Sequence, residues 1–154
     1  MDEPRWLNER EMAAWRGFVA ATNLVARHLE RQLKEDAGLS HTQYEILVQL
    51  SAAPGGSLRM TDLADRLVTS KSGLTYQVTQ LEKAGLVGRR SCASDVRGVF
   101  AEITDAGWET LRAAAPGHVA AVREALIDVL TPDQLTALAD SLGTVTDRLR
   151  STDR

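Results

Sequence analysis

The side chains best placed to do chemistry in this 154-residue chain lie between Ser70 and Arg97. Read as a helix from Ser70 to Ala84, this stretch puts Leu74, Val78 and Leu81 at i, i+4 and i+7, so that face turns inward. An advance of ~100° per residue then carries Ser72, Thr75, Tyr76, Thr79 and Gln80 to the far side. That outer face holds hydroxyls, a phenol and an amide with almost no acid. Such groups suit hydrogen bonding to base edges in a DNA major groove better than proton transfer or metal ligation. Ser70 is a good N-cap, and Lys71 with the first helical amides can meet a phosphate, because the positive end of the helix dipole favours anions. The competing interpretation is an ordinary amphipathic surface helix, but such faces usually mix Glu with Lys.

Downstream, Arg89, Arg90 and Arg97 fall in a β-prone hairpin, with Asp95 two residues before the last. An arginine at a hairpin tip can enter the narrow minor groove, and a neighbouring aspartate can hold its guanidinium in one orientation. Charge is segregated accordingly. Residues 59–98 carry seven basic and four acidic side chains, a net of +3, while the rest carries eleven and seventeen, a net of −6. The overall −3 thus conceals one surface fit to face phosphate.

Other reactive types are sparse. Cys92 is the only cysteine, so it makes no internal disulfide and no CxxC pair. Beside Arg89 and Arg90 its thiol invites comparison with an oxidation sensor. His28, His41 and His118 are too scattered along the chain to suggest a metal site, and none is expected. No Gly-rich phosphate loop, GxSxG or HExxH occurs, so neither an enzyme nor a cofactor is expected. A winged lobe used only for protein contact is the serious competitor to DNA binding. The start of the chain lacks a basic, apolar leader and no run reaches membrane-spanning length, which suits a cytoplasmic protein.

The elements that must position these groups are mostly helices. From Asn8 to about Asp36, Met12, Trp15, Phe18, Val19, Val25, Leu29 and Leu33 recur at helical spacing, and Gly38 ends the run. Ser40 to Gln43 reads as a capping box for a second helix that stops before Pro54. Residues 57–59 form at most a stub of strand. A short helix follows at 60–67, then a tight break at 68–70. Residues 86–90 and 99–103 read as strands around a long polar tip, 91–98. Thr104 caps another long helix in which Pro116 predicts a kink or interruption near residues 113–116. Thr131 to Gln134 is a further capping box, and the last helix repeats Leu135, Leu138, Leu142, Val145 and Leu149 at 3-4-3-4 spacing. The fold class is mainly α with one small β-hairpin.

The run Arg66-Leu67, Ser70-Lys71-Ser72-Gly73-Leu74, Leu81-Glu82-Lys83-Ala84-Gly85-Leu86-Val87, Asp95-Val96-Arg97 and Ile103-Thr104-Asp105-Ala106-Gly107 resembles the DNA-binding half of MarR-family regulators. The likeness extends over nearly the whole chain. It implies a single domain: a winged helix-turn-helix lobe at 40–103, with dimerisation helices at 8–36 and 105–150. It also implies a homodimer that binds double-stranded DNA at a pseudo-palindrome, typically as a repressor. The family's wing pair falls on Asp95 and Arg97, and its recognition helix on residues 70–85. Many members have a second arginine between that pair where this chain has Val96, a role Arg90 can share. The DNA-contacting set expected from residues and resemblance together is Ser70, Lys71, Ser72, Thr75, Tyr76, Thr79, Arg90, Asp95 and Arg97. The family commonly answers to small aromatic or amphipathic compounds, and Trp15, Phe18, Tyr44 and Trp108 are the candidates to line such a pocket. The stronger alternative is that these aromatics are core, as residues at helical spacing usually are. Independently of the family, the stripe on the last helix leaves more apolar face than one lobe can cover, which also favours a dimer.

Overall fold

The computed structural model describes residues 3–92 and 95–152; for residues 92 and 95–97 the backbone alone is described. The chain runs α1 (Glu9–Ala37), α2 (His41–Ala52), a 3₁₀ turn (Pro54–Gly56), β1 (Ser57–Arg59), α3 (Met60–Leu67), α4 (Lys71–Lys83), β2 (Val87–Cys92), β3 (Asp95–Ile103), α5 (Asp105–Val122), a wide π turn (Arg123–Ile127) and α6 (Pro132–Thr152).

Local signals set these boundaries. The Asn8 side chain accepts from the Glu11 amide and Glu11 reaches back to the Asn8 amide, both at 2.9 Å. Ser40 and Gln43 make the same reciprocal box at 3.1 and 3.0 Å. Each box satisfies amides that a helix start leaves orphaned. Gly38 closes α1 at φ 67°, in the left-handed region that side chains disfavour. Gly85 does so after α4 at φ 76°, with the Leu86 amide bonded to the Leu81 carbonyl at 3.0 Å.

The core lies where α2, α3, α4 and the sheet meet. Leu33, Ile46, Leu47, Leu50, Leu63, Leu74, Val78, Leu81 and Val87 are fully buried there. The sheet is antiparallel in the order β1-β3-β2, with Leu58 and Arg89 both opposite Ala101. The hairpin strands are longer than their apolar residues indicate: β2 reaches Cys92 and β3 begins at Asp95, so the strands extend well into the expected polar tip, with Ser91 opposite Val99 and Cys92 opposite Asp95. Alternation of apolar residues marks a strand only where one face is buried, and Arg90, Ser91 and Val99 in the hairpin are all exposed.

The expected interruption at Pro116 does not occur, and α5 continues through it. Pro116 lies on the exposed side, while Leu111, Ala114, His118 and Ala121 are buried along the opposite face. Water can therefore satisfy the carbonyl that loses its partner, and packing of the buried face keeps the helix continuous. The irregularity comes later, in the π turn.

Burial falls off toward both ends of the chain. On α1 only Leu29 and Leu33 are buried, and no residue of α6 is. No helix among the described residues is long and apolar enough to cross a membrane.

Candidate nucleic-acid interface

The helix-turn-helix is α3 and α4 joined at Val68–Ser70. Val68 takes up φ 53° and ψ 46°, a left-handed conformation that β-branched residues rarely adopt. The Ser70 hydroxyl caps α4, accepting from the Gly73 amide at 3.1 Å. With Leu74, Val78 and Leu81 buried, α4 presents Lys71, Ser72, Thr75 and Tyr76 to solvent, Tyr76 at 62% exposure. Thr75 donates its hydroxyl to the Lys71 carbonyl at 2.8 Å. What it offers outward is therefore a methyl group and an acceptor oxygen, which fits a thymine methyl or an exocyclic amine.

Thr79 is half-buried and differently engaged. Its hydroxyl donates to the Thr75 carbonyl at 2.8 Å and accepts from the Arg89 guanidinium. Arg89 also donates to the Thr75 carbonyl at 3.4 Å and pairs with Glu82 at 3.8 Å. It thus ties the wing strand β2 to the back of α4. Sequence reasoning placed Arg89 in the hairpin but not at the site. The available signal was strand alternation, which sends Arg89 and Arg90 to opposite faces. Arg90 lies on the other face, bonded to Glu102 at 3.1 Å and stacked 5.0 Å above the Phe100 ring centroid. Arg59 on β1 approaches the same ring at 5.4 Å. Between α3, α4 and the hairpin is a cleft of about 430 Å³ whose lining includes Lys71, Thr75 and Arg89.

The side chains of Asp95, Arg97 and Cys92 lie outside the described residues; their backbones belong to the hairpin strands, with Asp95 opposite Cys92. Thr104 anchors the base of the wing. Its hydroxyl donates to the Gly85 carbonyl at 2.7 Å and accepts from the Gly107 amide at 3.1 Å. Gly107 packs so closely that a Cβ would stand 2.2 Å from the Leu86 carbonyl oxygen.

The four aromatics proposed for a pocket are dispersed in the single chain. Trp15 and Phe18 stack at 6.2 Å on α1 and are about half exposed. Tyr44 is buried against His118 at 4.3 Å, and burial with the adjacent Glu45 carboxylate raises its phenol pKa. Trp108 packs against the core with Arg112 over its ring at 5.3 Å. Among the described residues, no ring contact joins the α1 pair to the other two.

The scattered histidines need correction. The fold brings His41 and His118 to 5.7 Å between ring centroids, and the two group with Glu45. His118 is buried, and its imidazole pKa is lowered by desolvation and by the neighbouring His41.

Comparison with known proteins gives a consistent result. A family model described as "MarR family" matches residues 39–99. The chain is similar to YkoM of Bacillus subtilis, an uncharacterized HTH-type transcriptional regulator, at 31% identity over 126 residues, 82% of this chain and 79% of that protein. Among solved structures it is similar to Sco3205 of Streptomyces coelicolor, a MarR-family transcriptional regulator in complex with DNA. Identity there is 47%, covering 97% of this chain and 93% of that one, with a TM-score of 0.92. AbsC of the same organism, another MarR-family regulator, is similar at 44% identity, 96% and 99% coverage and a TM-score of 0.91.

Proposed function

Since the chain belongs to the MarR family of winged helix-turn-helix transcriptional regulators, we propose that it is a homodimeric repressor, released from a pseudo-palindromic operator by a small aromatic or amphipathic effector. The family is one of DNA-binding regulators, not enzymes. The observation that carries the reading is the outer face of α4, where Ser72, Thr75 and Tyr76 stand exposed and free of acid beside Lys71. A relative 47% identical to this chain was crystallised on DNA, which supports the same use of the lobe.

In this reading residues 40–103 form the DNA-binding lobe, and residues 8–36 with 105–150 form the dimer. Support for the second part is the apolar surface left uncovered: Trp6, Trp15, Phe18 and Leu24 at one end, Leu142, Val145 and Leu149 at the other. Ser70, Lys71 and the first amides of α4 hold phosphate, and Ser72, Thr75 and Tyr76 read base edges. Thr79 acts chiefly as the seat for Arg89. Arg97 enters the minor groove, steadied by Asp95, and Arg90 assists from the strand. Repression is steric, the dimer covering a promoter in the cytoplasm. An effector lodged near the exposed Trp15–Phe18 pair, with Tyr44 and Trp108 deeper in each subunit, favours a lobe spacing that no longer matches two half-sites. A few kcal/mol of differential binding is sufficient for release.

Selection from a random duplex library tests the reading. It is expected to enrich an inverted repeat with half-site centres about one helical turn, ~10 bp, apart. Enrichment of no motif, or of a single unrepeated half-site, would overturn the dimeric, sequence-specific reading.

A further inference from the structure

His41 opens α2, Glu45 follows one turn later, and His118 projects from the middle of α5. One donor atom from each of the three lies within 4.8 Å of the others. An i,i+4 ion pair accounts for His41 and Glu45, whose Nε2 and Oε1 are 3.7 Å apart. It does not account for a buried imidazole delivered to the same point by another helix, with only 7% of its surface exposed.

We propose that His41, Glu45 and His118 form a binding site for a zinc-type divalent cation that fastens α2 to α5. Two imidazoles and one carboxylate are a donor set suited to Zn²⁺, leaving one coordination position for water or another ligand. Zn–N and Zn–O bonds of ~2.0–2.2 Å put tetrahedral donors ~3.3 Å apart. The 3.7 Å pair is already near that, and rotation of the half-exposed His41 and Glu45 side chains closes the remainder.

The surroundings also resemble those of a ligating histidine. His118 Nδ1 lies 3.4 Å from the Gln32 amide oxygen, and Gln32 in turn donates to Asp36 at 2.8 Å. An Nδ1–H directed at Gln32 leaves Nε2 with its lone pair, the tautomer a metal requires. The Glu30 carboxylate accepts from the His41 amide at 2.7 Å and fixes the start of α2.

The site joins α2, whose Ile46, Leu47 and Leu50 are in the core of the helix-turn-helix lobe, to a helix outside that lobe. Occupancy therefore stiffens one against the other. Any consequence for operator affinity rests on the DNA-binding reading above; metal binding itself does not.

The test is titration of untagged, chelator-treated full-length protein with Zn²⁺ against a chromogenic competitor. One Zn²⁺ per chain with micromolar or tighter affinity is expected, with a rise of several degrees in melting temperature at saturating metal. Glu45→Gln and His41→Gln alter partly exposed groups and should each weaken binding ~100-fold or more while the metal-free protein melts as wild type does. Gln32→Ala should weaken it ~10–100-fold through the orientation of His118. His28→Gln and Cys92→Ser should leave it unchanged. The proposal fails if wild type binds no Zn²⁺ below ~100 µM, or if the Glu45 and His41 variants bind it undiminished. Loss of Zn²⁺ binding with intact operator binding would leave the DNA reading standing, and the reverse would leave the metal site standing.

Discussion

Replacing Arg89 separates positioning of the recognition helix from contact with phosphate. In the structure its guanidinium reaches the Thr79 hydroxyl and the Thr75 carbonyl and pairs with Glu82 at 3.8 Å. A hydrogen bond to a charged group contributes ~1.5–3 kcal/mol and a part-exposed ion pair ~0–1 kcal/mol, so Arg89→Ala is expected to cost about 2 kcal/mol of stability. Thr79→Val removes the hydroxyl while keeping the shape, and the two changes share one interaction. Their double-mutant cycle should show a coupling of ~1–2 kcal/mol, read by urea denaturation. Binding to operator DNA should weaken in Arg89→Ala with the salt dependence of affinity unchanged, because the arginine acts through α4. Lys71→Ala should instead lower the slope of log K against log salt by ~1.8 for the dimer, one phosphate contact per subunit. Anisotropy titrations across a salt series measure both. Additive single-mutant effects, or a slope change in Arg89→Ala equal to that of Lys71→Ala, would refute the reasoning.

Three further outcomes follow from the geometry. Gly107→Ala sets a Cβ 2.2 Å from the Leu86 carbonyl oxygen and 2.7 Å from Ile103 Cγ1, and a backbone neighbour cannot rotate away. A loss of ~3 kcal/mol or more is expected in denaturant unfolding, and an unchanged midpoint would show that the wing base yields. Val68→Asn relieves a left-handed valine that is 76% exposed, so the gain of ~1 kcal/mol should raise the melting temperature by ~2–4 °C at fixed protein concentration. A fall in melting temperature would count against strain in that turn. Leu142→Glu with Leu149→Glu places charge on the uncovered stripe of α6 and should convert a dimer to monomer in sedimentation equilibrium. An unchanged mass would place the interface elsewhere.

How much of this was legible in the sequence depended on whether its cause was local. The capping pairs Asn8–Glu11 and Ser40–Gln43, the glycine stops at 38 and 85, and the inward stripe of α4 each act within one or two turns. The Ser40 pair, the stops and the stripe were read as they stand; for α1 only the start near Asn8 was. The full extent of β2 and β3 was not legible, because a solvated wing needs no alternating pattern. The effect of Pro116 was overestimated because its consequence depends on which side of α5 meets water. Arg89 and Arg90 are adjacent in the chain, but strand pleating sends one to α4 and the other to Glu102 and Phe100. The meeting of His41 with His118 is set by the packing of α5 on α1 and α2, and no spacing rule reaches across that distance.

The central claim is that the exposed face of α4 reads DNA sequence, and the specificity ratio tests it most directly. The affinity of the purified protein should be measured for the duplex recovered by selection and for a scrambled duplex of the same length and composition, at one physiological salt concentration. The account predicts at least ~10³-fold tighter binding to the selected duplex, reduced toward the scrambled value by Thr75→Ala and Tyr76→Ala. Affinities within tenfold of each other, unaltered by those substitutions, would contradict it.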